Sequence, residues 1–231
     1  KVKKEVRIYT YSQDEGDFHA ENIRMGNGEI IFDFVAPDTR ITDIQLGVPM
    51  SINIENGVAA ISLAYLNGVN AGEIKCGMAS FRGVDRRFDF KIKNDRIVFL
   101  NDYAHHPFEI RQSLLSIRKL YAGKKITAVF QPHLYTRTRD FYIEFAASLS
   151  LADEVILLDI YPARELPISG VTSELIYERL QPNVKKSRCS KENLTETLKS
   201  KKIEVLITLG AGDIEDYVPA ITQMLNANGR K

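Results

Sequence analysis

The chain has 231 residues, of which 44% are hydrophobic and 26% charged, and its formal net charge is +1. That is apolar material for one large or two modest domains, and a charge balance that excludes a global field for nucleic acid or anionic lipid. No run approaches the ~20 apolar residues needed to span a bilayer. The basic start "KVKKEVRIYTYS" lacks the apolar core of a signal peptide. Cys76 and Cys189 stand far apart, as reduced thiols of a cytoplasmic protein would.

In chain order, "VRIYTYS" alternates like a strand, "DFHAENIRMGNGEIIFDFVA" reads as two strands about "GNG", and "TRITDIQL" as another. The period then changes. Ile54, Val58, Ile61, Leu63 and Ala64 recur at helical spacing in "NIENGVAAISLAYLNGV", with Asn53 suited to cap the helix. A shorter helix, "AGEIKCGMASF", leads to the connector "RGVDRRFDF". From residue 88 strands alternate with helices. "FDFKI", "DRIVFLND", "KITAVF", "DEVILLDI" and "IEVLITLG" are strand-like. "PFEIRQSLLSIRKLYAG", "TRDFYIEFAASLSL", "TSELIYERL", "KENLTETLKSK" and "DIEDYVPAITQML" are helical. This alternation predicts an α/β domain with a mainly parallel sheet covered on both faces. The boundary is placed near residue 80, giving regions 1–80 and 81–231.

Ligands of open α/β sheets bind outside the carboxyl ends of the strands. The loops "NDYAHHP", "QPHLYTRTR", "IYPARELPISG" and "GAGDIE" all follow strands at that end, and they hold three of the four His plus Arg137, Arg139 and Arg164. Asp102, His105 and His106 have three possible uses. As a metal site they are awkward, because adjacent His point in different directions and no acidic cluster accompanies them; no residue of this chain is assigned as a metal ligand. As structure, the Asp would cap the following helix with a His beneath it. As a substrate site, an imidazole binds an anion or moves a proton near neutral pH. Arg137 and Arg139, near a helix start beside His133, suit a carboxylate or phosphate.

"RGVDRRF", "DYAHHPFE" and "FQPHLYTRTRDF", in that order and spacing, resemble the Mur ligase family, and within it the ligases that join L-alanine to UDP-N-acetylmuramate. The likeness covers essentially the whole chain. It implies an ATP-dependent, ADP-forming amide ligase of peptidoglycan synthesis, using Mg2+, in which ATP phosphorylates a lactyl carboxylate and the amine of L-alanine attacks the acyl phosphate. Residues 1–80 then correspond to the latter part of a central ATP-binding domain, and 81–231 to a Rossmann-like C-terminal domain. No GxxGK[ST] phosphate loop occurs in the sequence, and neither the UDP-binding domain nor the upstream Mg2+ ligands are recognisable. The chain therefore reads as a piece of a longer enzyme, inactive alone.

The resemblance also carries roles. Asn53 and Asn56 match an adenine-contacting pair, although Ile52 stands where the family usually has His. Arg87 matches a linker Arg that reaches the phosphates, and Asp102 and Tyr103 match residues near the nucleotide. His105, His133 and Arg137 match positions facing the amino acid and the reacting carboxylate. Leu134 replaces an Arg common there, which leaves Arg137, with Arg139, to hold the alanine carboxylate. The alternatives are a murein-tripeptide recycling ligase of the same superfamily, a non-catalytic substrate-binding module and a metal-dependent hydrolase. No nucleic-acid or membrane partner is expected, and nothing in the sequence indicates an oligomeric state.

Overall fold

Asn27 and Gly28 both have positive φ (53° and 75°). They form the two-residue turn on which β1 (His19–Gly26) pairs antiparallel with β2 (Glu29–Ala36). β3 (Thr39–Gln45) extends the sheet on the other edge of β2. Ile30, Phe32 and Phe34 of β2 are buried, as are Ile41 and Ile44 of β3. α1 (Asn53–Leu66) buries Ile54, Val58 and Ile61, and α2 (Ala71–Ser80), which touches β3, buries Ile74. α2 is opened by a reciprocal cap between Asn70 and Glu73. The computed structural model describes residues 6–228. It divides into two compact units between Gly83 and Val84.

Three expectations fail in the first unit. "VRIYTYS" forms no strand: residues 6–10 are irregular, and only Tyr11 bridges Phe18. Alternation supplies a face but not a neighbouring strand to pair with. Leu63 is 66% exposed and lies off the apolar stripe. Asn53 does not cap α1. Ile52 holds that position, while the Asn53 amide donates to the Val48 carbonyl (3.2 Å) and its oxygen accepts from Asn56 (3.2 Å).

The second unit is a six-stranded sheet. Its strands are β4 (Asp89–Lys93), β5 (Val98–Asp102), β6 (Ile126–Phe130), β7 (Glu154–Leu157), β8 (Lys185–Arg188) and β9 (Val205–Leu209), in spatial order β4-β5-β9-β6-β7-β8. Only β4 runs antiparallel. β5, β6, β7 and β9 are buried along their whole length, which explains their continuous apolar runs. β8, "KKSR", was not foreseen, because a charged edge strand carries no apolar signal.

α3 (Pro107–Leu120), α4 (Tyr135–Leu149) and α5 (Glu174–Arg179) neighbour one another in turn, and Phe145 of α4 meets Phe130 of β6 with centroids 5.1 Å apart. α6 (Leu194–Lys199) and α7 (Val218–Asn228) close a second core, in which Leu194, Leu198, Val218 and Ile221 join Phe99, Val129, Ile156 and Leu206. This is the α/β, mainly parallel, doubly covered fold that the alternation predicts.

Candidate functional site

Sheet register builds the site's floor. Asp102, Leu209, Phe130 and Leu157 pair in one row across β5, β9, β6 and β7, so the four strands end level. Their loops leave from one edge, and β9 enters between β5 and β6, which are joined to each other through α3. At such a reversal the outgoing loops diverge and leave a crevice. The "GAG" turn after β9 fits it closely. A Cβ on Gly210, whose φ is +146°, would lie 2.8 Å from the Gln131 carbonyl oxygen, and one on Gly212 would lie 2.4 Å from Gln131 Oε1.

The loop after β5 sends its polar groups three ways. Asp102 is buried and accepts from Ser113 Oγ (2.5 Å) and the Ala104 N–H (3.2 Å). Burial pushes its carboxyl above the ordinary range, against the pull of those hydrogen bonds and of Arg87. Asp102 therefore does not cap α3, contrary to the structural reading of this loop. His106 does: its ring accepts from the Phe108 N–H (3.4 Å), and Glu109 Oε2 accepts from the N–H groups of His105 (2.9 Å) and His106 (3.1 Å). Burial raises Glu109, but these two N–H groups and the neighbouring basic side chains hold it below its ordinary value. His105 turns to the rim, with its Nδ1 3.1 Å from the Tyr103 carbonyl and 3.4 Å from Glu109. Asp102, His105 and His106 are thus not brought together as ligands.

The loop after β6 supplies the partner groups. His133 faces His105 edge-on, with centroids 6.1 Å apart, and stacks on Tyr161 from the loop after β7 at 5.6 Å. The two loops are joined by main chain: Tyr161 N–H donates to Pro132 O (2.8 Å) and Leu134 N–H donates to Tyr161 O (2.9 Å). Arg137 Nη1 lies 3.3 Å from His133 Nδ1. Burial, then the Arg137 and His105 charges, lower the His133 pKa from its ordinary value, with Glu165 opposing, which favours the neutral ring. A guanidinium can bind a carboxylate, and an unprotonated imidazole beside it can accept a proton from an amine held there.

Two adjacent arginines flank the rim. Arg86 lies over the Tyr103 ring (4.6 Å), pairs with Glu215 (2.9 Å) and reaches the Gly212 carbonyl (3.4 Å). Arg87 lies 5.4 Å from the same ring and is exposed. Arg139 points into solvent and bonds Asp140 (2.7 Å); it does not join His133 and Arg137. Arg164 is also exposed. Asn53 and Asn56 belong to the first unit, beside the exposed Ile52. Tyr161, Arg86 and Glu165 were not singled out from the sequence. The loop "IYPARELPISG" was placed on the rim, but its pairing with the start of α4 has no local signature.

A family model described as "Mur ligase, glutamate ligase domain" matches residues 86–214, more than half of the chain. A UDP-N-acetylmuramate–L-alanine ligase of Phocaeicola vulgatus is 71% identical over 221 residues, covering 96% of this chain and 48% of that protein. One from Parabacteroides distasonis is 54% identical over 233 residues, covering 100% and 50%. The solved UDP-N-acetylmuramate–alanine ligase of Thermotoga maritima superposes with a TM-score of 0.77 at 25% identity, covering 93% and 47%. The chain spans about half the length of the curated relatives it matches.

Proposed function

Because the chain belongs to the Mur ligase family, we propose that it is the latter half of a cytoplasmic, ADP-forming ligase that joins L-alanine to UDP-N-acetylmuramate in peptidoglycan synthesis. The single observation that carries the reading is the cluster of Arg137, His133 and His105 on one strand-end rim. Arg137 holds the alanine carboxylate. His133, whose neutral form its surroundings favour, accepts the proton that the attacking amine must lose. His105 faces it across the same crevice. Tyr103 holds Arg86 and Arg87 near the β5 loop, where their charge favours an incoming phosphate group.

ATP, when bound, supplies the phosphoryl group that activates the lactyl carboxylate. Each unit's donors fit only a part of such a ligand: in the first, the Asn53–Asn56 pair suits a base; in the second, Arg87 beside Tyr103 suits a phosphate edge; and the sequence holds no GxxGK[ST] loop to cradle the triphosphate. For Mg2+ the fit fails within this chain. Among the described residues, no three His, Cys, Asp or Glu gather as ligands.

The test is steady-state kinetics of the full-length enzyme. ADP release should require both UDP-N-acetylmuramate and L-alanine. Arg137→Ala should raise the KM for L-alanine and leave that for ATP in place. Losing a charged hydrogen-bond partner costs about 1.5–3 kcal/mol, roughly ten- to a hundredfold in kcat/KM. An unchanged L-alanine dependence would remove Arg137 from the site, and preference for a murein tripeptide over L-alanine would give the recycling ligase instead.

A further inference from the structure

α4 begins without a cap of its own. Leu134 holds the N-cap position with φ +73° and no side-chain hydrogen bond, so the first amides of the helix need an acceptor from elsewhere. Glu165 provides it from 29 residues away. Its carboxylate accepts from the Thr136 N–H (3.0 Å) and from Thr136 Oγ1 (2.5 Å). A negative charge at a helix N-terminus is also favoured by the helix dipole. Thr136 stands directly before Arg137 and three residues after His133.

The same two segments are stitched at their other end, where Tyr161 bonds Pro132 and Leu134. Two non-glycine residues there sit in the left-handed region: Leu134, within the Tyr161 stitch, and Ala163 (φ +50°), between Tyr161 and Glu165. Such residues are strained and persist only where their surroundings over-determine them. Glu165 and Tyr161 do so from the two ends.

We propose that Glu165 is a positioning residue of the amino-acid site: its grip on Thr136 locks the first turn of α4 against the loop after β7 and so aims Arg137 and His133 together. The proposal rests on the reading that Arg137 binds the carboxylate of L-alanine. Its content is that this site is shaped by a residue that touches no substrate. Glu165 is held ionised by the Thr136 hydroxyl and N–H, which keeps its acceptor role intact across the neutral range.

Two readouts in the full-length enzyme test it. Hydrogen exchange of the peptide covering His133–Arg137 should quicken in Glu165→Ala, whatever the enzyme's substrate. Kinetically, Glu165→Ala should raise the KM for L-alanine on the order of ten- to a hundredfold, the scale of a small misplacement of a binding group, and leave the KM for ATP unchanged. Glu165→Gln, which keeps an oxygen for Thr136, should recover most of the loss. Unchanged exchange would show that the cap is absent and overturn the proposal. Faster exchange with unchanged L-alanine kinetics would overturn the positioning role while leaving the ligase reading intact. If the unaltered enzyme does not use L-alanine, the ligase reading falls and takes the role of Glu165 with it, while the exchange result still reports the cap.

Discussion

Asp102 illustrates a conflict between stability and chemistry at a single residue. It sits at the end of β5, 6% exposed, with a pKa raised chiefly by burial above the ordinary carboxylate value. A carboxyl whose folded pKa is raised contributes most at low pH, and that contribution is lost as pH rises from 3.8 through the folded value. As pH rises toward neutral the protein therefore carries a growing cost for a carboxyl whose burial resists ionisation. Asp102→Asn keeps polar partners for Ser113 and Ala104 without that cost. Its melting temperature relative to wild type should be higher at pH 7 than at pH 3.5. Asp102→Ala leaves both donors without an acceptor and should lose about 1–3 kcal/mol for each. Chemical and thermal melts across pH would decide. A pH-independent difference between Asp102→Asn and wild type would mean that the carboxyl is not held out of solution as described. In sequence, Asp102 stood out as a polar residue ending an apolar strand, but its hold on Ser113 crosses from strand to helix and has no local mark.

Among the elements, α3 was the most legible and also the one whose details moved. Pro107 at its first position, the apolar series Ile110, Leu114 and Ile117, and Arg118 and Lys119 in its last turn all follow ordinary helix rules. The cap did not follow the obvious choice of Asp, because Asp102 is already committed inward and His106 stands immediately before the Pro. Thus the two adjacent His have separate duties: His106 ends the loop and His105 faces the rim. The expected consequence is a clean separation. His106→Ala should cost about 0.5–2 kcal/mol of stability, as loss of an N-cap does, with the full-length enzyme's turnover preserved once folded. His105→Ala should lower turnover with little change in melting temperature. Matched melts and kinetics on the two variants would show it, and an exchange of the two effects would reverse the assignment. β8 was illegible for the opposite reason. Its "KKSR" has neither a β-branched series nor an apolar face, and it becomes a strand only because β7 offers an edge.

At the scale of the whole molecule, fold class was readable because strand and helix periods alternate over long, strongly patterned segments. The sheet order was not readable: inserting β9 between β5 and β6 depends on which edges remain free once the other strands have paired. That insertion brings the β9 turn between the His105 and His133 loops and gives the second unit its crevice. The first unit, by itself, presents a helix start bearing Asn53 and Asn56. The sequence holds no GxxGK[ST] phosphate loop, and the chain spans about half of its curated relatives. Binding energy for a triphosphate comes mainly from charge-assisted contacts to the phosphates, and a partial set of contacts must still offset the full entropy of association. This chain alone is therefore expected to bind Mg-ATP no tighter than the high micromolar range, about 5 kcal/mol, and to release no ADP on addition of L-alanine. Calorimetry with Mg-ATP and a coupled ADP assay on the chain as it stands would measure both. Submicromolar binding, or ADP release dependent on L-alanine, would mean that residues within this sequence supply the phosphate site by a route other than a glycine-rich loop. The exposed Arg87 beside Tyr103 would then be the first place to look for it.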